Sequence, residues 1–125
     1  MILLLDAHAL VWWLADDRSL EPGARAAIRD PGNDIVVSAA TIWELALKRA
    51  KGKIELPIDL TTAVRQAGFS GLPVTSEDAE RASDLPAHHQ DPFDRMLVAQ
   101  AQRLGAVVVT RDRAIAAYEV DTLPA

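Results

Sequence analysis

Short all-apolar runs, each followed by a segment of helical period, recur along the chain, and this alternation restricts it to a mainly parallel β-sheet wrapped by helices. Strands are expected at Ile2–Leu5, at Ile35–Val37, around Leu72, Pro73 and Val74 as a sheet edge, at Ala106–Val109, and weakly near Val120–Leu123. Between them, a helix is expected through Leu10, Val11 and Leu14, and another over Arg18–Asp30 with Pro22 in its first turn. The spacing predicts further helices from Ala39 to about Lys51, over Asp59–Ala67 after Pro57, through Ala79, Ala82 and Leu85 behind a Thr75 or Ser76 cap, and from Asp91-Pro92 to Gly105. A short one follows Asp112. The Ala39–Lys51 helix is apolar round most of its circumference and is expected to be largely buried. Trp12, Trp13 and Trp43 lie in apolar helical segments, so packing in the core or at a subunit interface is expected for them.

Half of the 125 residues are apolar, enough for one folded domain over residues 1–125. The absence of Cys removes disulfides, thiolate metal sites and cysteine nucleophiles, and makes the reducing cytoplasm the expected compartment. The apolar start, MILLLDAHALVWWLA, is broken by Asp6 and His8 and has no basic flank, so neither a signal peptide nor a membrane anchor is expected. With 13 Lys and Arg against 18 Asp and Glu, the net charge of −5 argues against a protein that coats nucleic acid. It leaves room for a nuclease, whose catalytic carboxylates are acidic until metal binds. No G-x-G-x-x-G or P-loop is present, and Ser38, Ser76 and Thr110 have no His and acid at a recognisable elbow.

The acids are more informative. In an open parallel sheet, ligands bind beyond the carboxyl ends of the strands. Asp6 directly follows the first strand, Asp112 follows Ala106–Val109, Asp94 begins the helix leading into that strand, and Glu44 sits in the second turn of the helix leaving the second strand. Each has a bland explanation: Asp6 and Asp112 as helix caps, Asp94 as an acid in a helix first turn, Glu44 as the i, i+4 partner of Lys48. Together those explanations weaken, because like charges at one sheet edge need a cation to coexist. Oxygen-only ligation selects Mg²⁺ or Mn²⁺ over zinc, and such ions suit in-line phosphoryl displacement.

Thr110 is a candidate for orienting a carboxylate or water. His88 and His89, adjacent in a polar connection, are expected to face solvent or cap a helix. The run Lys48, Arg49, Lys51 and Lys53 reads equally as a solvated helix end or as a phosphate track, joined in the second case by Arg95, Arg111 and Arg113.

The segments LLLDAHALVWWL, VSAATIWELALKRAKGKIEL, LPAHHQDPFDRMLVAQA and VVVTRD, in that order and spacing, resemble the PIN-domain ribonucleases, specifically the VapC-type toxins of toxin-antitoxin pairs. The family's four acids match Asp6, Glu44, Asp94 and Asp112. Thr110 matches its hydroxyl position, and Asp91 resembles a capping or supporting residue. The resemblance implies a three-layer α/β/α sandwich with a central parallel sheet, Mg²⁺- or Mn²⁺-dependent endonucleolytic cleavage of RNA, homodimerisation, and inhibition by a cognate antitoxin. The chain departs from the pattern at Ala7, where the family commonly carries Thr or Ser, and this leaves a catalytically silent PIN scaffold acting as a binding module as an alternative. A phospho-receiver domain would need paired acids after the first strand and a lysine near the last. Here Ala7 follows Asp6, and no lysine occurs after Lys53.

Overall fold

The three leucines Leu3, Leu4 and Leu5 set the layering, because successive side chains of a strand point to opposite faces. In the computed structural model, which describes residues 1–56 and 59–125, Leu3 and Leu5 enter one hydrophobic core and Leu4 enters another. Their strand, β1 (Ile2–Leu5), is the middle of a sheet with β2 (Asp34–Ser38), β3 (Ser70–Leu72), β4 (Val107–Val109) and β5 (Asp121–Leu123) in the order β3-β2-β1-β4-β5. Every pairing is parallel, with Leu3 opposite both Ile35 and Val107. Parallel strands need crossovers, which cover both faces and account for the all-apolar runs.

The first core is covered by α1 (Ala7–Leu14), α2 (Pro22–Arg29), α3 (Ala39–Ala50) and α4 (Leu60–Gln66), through Leu10, Ile28, Leu45 and Val64. The second is covered by α6 (Pro92–Leu104) and α7 (Arg113–Ala116), through Leu97, Val98, Ala101 and Ile115, with α5 (Ser76–Asp84) against α6. The result is a three-layer α/β/α sandwich. Gly105 ends α6 at φ 66°, a left-handed conformation that glycine adopts without steric cost. Among the described residues, no helix is long and apolar enough to cross a membrane.

Three expectations shift. The edge strand β3 lies at Ser70–Leu72, ahead of Pro73, since proline has no N–H for a ladder. Helix α2 starts at Pro22, with Glu21 at the N-cap, rather than at Arg18. Helix α3 is not largely buried: Ala40, Thr41 and Leu45 face inward, but Trp43 is 62% exposed and Leu47 37%. Only one face of α3 meets the sandwich, so the indole of Trp43 is left outside and meets Phe93 edge to face, 5.2 Å between centroids. Trp12 and Trp13 do pack, half-buried, against the first core. The expected helix beginning at Asp59 is present as α4, whereas Pro57 before it lies outside the described residues.

Candidate active site

The strand order reverses between β1 and β4, the two strands that deliver Asp6 and Asp112 to the carboxyl edge of the sheet. A crevice at such a reversal is where open α/β sheets bind ligands. Asp6 follows β1 and caps α1, its Oδ1 accepting from the Ala9 N–H at 2.8 Å. Asp112 caps α7 in the same way, from Ala114 N–H at 2.8 Å. Capping therefore occupies one oxygen of each carboxylate and does not compete with a second role for the other. Asp91 caps α6 through bonds from Phe93 and Asp94 N–H, which puts Asp94 in the first turn. Glu44 accepts from Lys48 Nζ at 3.2 Å. All four predicted acids, with Asp91, line one cavity of about 410 Å³.

Crowding and burial disturb these acids unequally. Burial raises the pKa of Asp6, opposed in part by hydrogen bonds from the Thr110 hydroxyl and the Ala9 N–H. Asp94 is pushed up to about 7, first by burial and then by the negative charge of Asp91, with His89 opposing and Glu44 and Asp6 adding to the rise. Asp112 goes the other way: burial raises it, but the His89 hydrogen bond and the Ala114 N–H outweigh that. Thr110, buried between the two strand-end acids, accepts from the Asp112 N–H at 3.0 Å and donates to Asp6. It thus supplies Asp6 with the hydroxyl partner that Ala7 lacks.

The residue that sequence reasoning misplaced is His89. Its Nε2 lies 2.7 Å from Asp112 Oδ2 and 3.0 Å from Asp94 Oδ2, so it bridges two of the acids. Its Nδ1 accepts the Asp91 N–H at 3.0 Å. Burial lowers the imidazole pKa, but the bond to Asp112 and the charges of Asp94, Asp112 and Asp91 raise it by more. The contact at Nδ1 opposes protonation there, since it would set two donors against each other; the observed geometry is that of the neutral ring with the proton on Nε2. Neighbouring His88 instead packs edge to face on Tyr118. A polar, loop-borne His pair beside an acid gave no local sign of which ring turns inward.

The loop is held by Arg95, and this corrects its expected place in a phosphate track. The Arg95 guanidinium donates to the carbonyls of Ala82, Ser83, Leu85, Pro86 and His89 and to the Tyr118 hydroxyl, at 2.9–3.3 Å. The His89 N–H donates to the same hydroxyl at 2.9 Å, and that hydroxyl donates to Pro86 O at 2.7 Å. Arg95→Ala strips donors from several half-buried carbonyls and should cost about 2–4 kcal/mol, read from denaturant unfolding. A loss below roughly 0.5 kcal/mol, the range of an ordinary surface substitution, would refute the clamp.

With the geometry in hand, the chain can be set against known proteins. The PIN domain family matches it over residues 3–121. The chain belongs to the PIN-domain family. This PIN domain is 30% identical to the ribonuclease VapC22 of Mycobacterium tuberculosis over 119 residues, covering 93% of this chain and 91% of that protein, and is of the VapC type. Its fold resembles VapBC2 from Rickettsia felis bound to a promoter DNA fragment, at TM-score 0.70 and 12% identity over 98% of both chains. It also resembles a toxin-antitoxin complex from Klebsiella pneumoniae, at TM-score 0.65 and 20% identity over 97% of this chain and 95% of that one.

The donor set of the PIN domain fits a hard divalent cation. Its four converging acids are all oxygen donors, and the raised pKa of Asp94 marks negative charge that the protein does not balance by itself. The basic residues divide. Lys48 is paired to Glu44 at the cavity wall, and Lys51, Lys53 and Arg113 are exposed. Arg111 lines the cavity, but its guanidinium stacks 4.5 Å over Trp12 and donates to the carbonyls of Ala125 and Ser19, so it is first a structural tie. A second groove, of about 500 Å³ between α3, α4 and β3, is lined mainly by apolar groups such as Ile42, Val64 and Phe69 and gathers no acids.

Proposed function

We propose that this VapC-type PIN domain is the toxin of a toxin-antitoxin pair: a Mg²⁺- or Mn²⁺-dependent endoribonuclease, one domain over residues 1–125, working in the cytoplasm as a homodimer. The observation that carries the reading is the convergence of Asp6, Glu44, Asp94 and Asp112 in one cavity at the strand-order reversal. Those four acids would hold the metal. A divalent ion held there supplies Lewis acidity to an attacking water and to the leaving oxygen of a phosphodiester.

The chain's own residues prepare that site. The Thr110 hydroxyl orients Asp6, the α7 N-terminus and His89 keep Asp112 ionised, and Asp91 fixes the first turn of α6 that presents Asp94. Repulsion among the acids also favours a partner bearing a cation, which supports an antitoxin segment placing a basic side chain in the cavity. The deciding experiment incubates the purified protein with single-stranded RNA, with and without Mg²⁺ or Mn²⁺. Metal-dependent internal cleavage is expected, and RNA left intact in either ion would establish the silent scaffold instead.

RNA must also be gripped by its phosphates. Lys48, Lys51, Lys53 and Arg113 are the cations we assign to that track, with Arg111 secondary. Changing the three lysines to Gln should weaken RNA binding and flatten the slope of log affinity against log salt by about 2, near 0.7 per lost single-strand phosphate contact. An unchanged slope would return the run to a solvated helix end.

A further inference from the structure

We propose that the His89 side chain holds the place of the cation in the metal-free protein, so that a divalent ion must take Asp94 from His89 in order to bind. The inference rests on the metallonuclease reading and assigns a residue that acts on the site without ligating the metal. Three observations lead to it.

The first is position. A single atom, His89 Nε2, reaches Asp94 Oδ2 at 3.0 Å and Asp112 Oδ2 at 2.7 Å. It lies between two carboxylates that a cation would otherwise draw together. The second is chemistry. A backbone N–H can only donate, so the Asp91 N–H bond to Nδ1 leaves that nitrogen without a proton and puts the ring's proton on Nε2. A protonated nitrogen has no lone pair for a metal. His89 is therefore a hydrogen-bond donor to the cluster, although its ligand atom and those of Asp94 and Asp112 all lie within 4.8 Å of one another. Ligation by Nε2 would require moving the proton to Nδ1 and breaking the bond from Asp91.

The third is construction. His89 is fixed through both of its backbone groups, its N–H on the Tyr118 hydroxyl and its carbonyl on Arg95, and Arg95 ties the loop back to α5 through Ala82 and Ser83. A side chain merely resting against a surface acid would not need such an anchor. The ring is thus held where it can share one proton between two acids. When an ion claims Asp94, the shorter bond to Asp112 can persist, and His89 then orients that carboxylate as an outer partner. His89 is accordingly a positioning residue whose main energetic effect falls on the metal-free state.

This assignment makes an unusual demand: removing the donor should tighten metal binding, because the metal-free protein loses more than the loaded one. His89→Asn keeps an acceptor near the Nδ1 position for the Asp91 N–H and drops the donor at Nε2. His89→Gln extends an amide N–H toward the Nε2 position and keeps the donor. Mn²⁺ binding is measured by calorimetry on each folded variant, without RNA, alongside melting in EDTA. His89→Asn should bind Mn²⁺ about 3- to 10-fold tighter than the parent, equivalent to roughly half to all of one hydrogen bond, and melt lower in EDTA. His89→Gln should stay within about twofold of the parent. Weaker binding by both variants would make His89 a ligand and overturn the inference. Tighter binding by both would deny the donor its role and overturn it too, as would an unmoved affinity in His89→Asn. A parent protein that binds no Mn²⁺ would bring down the metallonuclease reading as well, which separates the two failures.

Discussion

Asp94→Asn and Asp6→Asn are each expected to lose RNA cleavage by on the order of 100-fold or more, about 3 kcal/mol of transition-state stabilisation, while the metal-free protein becomes more stable. The two effects separate catalysis from capping. Asn caps a helix about as well as Asp, so a residue that only capped would be silent in both assays. Asp94 carries the sharper stability test, because its pKa of about 7 in the folded protein lies far above its ordinary value of 3.8. A carboxyl whose folded pKa is raised contributes stability that is fully present below pH 3.8 and is lost as the pH rises through about 7. The neutral Asn escapes that loss. The melting temperature of Asp94→Asn should therefore match the parent near pH 4 and exceed it most above pH 7, by several degrees at roughly 3–6 °C per kcal/mol for a chain of this size. For Asp6 the direction is the same, since burial raises its pKa too. Wild-type cleavage by either variant would remove the acids from the mechanism.

Removal of the metal is the second large effect. Cleavage should stop in excess EDTA and return with Mg²⁺ or Mn²⁺, because nothing else in the cavity neutralises four carboxylates: Lys48 pairs with Glu44 alone, and His89 brings a single shared proton. Binding of the ion should also expel the proton that Asp94 retains near neutrality. Two consequences follow for measurement. The stabilisation by metal, about 2.7 kcal/mol at a hundredfold excess over Kd, should be larger at pH 8 than at pH 6 for the same metal concentration. Calorimetric heats should vary with the ionisation enthalpy of the buffer at pH 6 and much less at pH 8. Undiminished cleavage in chelator would end the metal mechanism, and a metal-induced stabilisation independent of pH would remove Asp94 from the ligand set.

The features legible in the sequence are those whose cause is local. All-apolar runs of three or four residues are strands buried on both faces, and Asp-Pro before an amphipathic segment starts a helix, as Asp91 and Pro92 do for α6. Since parallel strands all end at one edge, an acid directly after a strand is placed there by topology alone, which is why Asp6 and Asp112 could be assigned to one site. The rest depended on what packs against what. Whether α3 is buried depends on how many layers meet it, and its apolar circumference says nothing of that; Trp43 stays outside because only one does. Arg95 looks like any cation beside an acid until the turn after α5 brings five carbonyls and the Tyr118 hydroxyl round it. His89 became part of the site by the same route, with Tyr118 and Arg95 holding its backbone while Asp91, two residues on, orients its ring. The chain by itself determined the strands, the caps and the edge at which the acids gather, because each depends on neighbours in sequence and on strand direction. Only the tertiary structure decided which donors meet those acids, because a hydrogen bond across 23 residues from His89 to Asp112 exists only once the loop, α6 and α7 have been packed together.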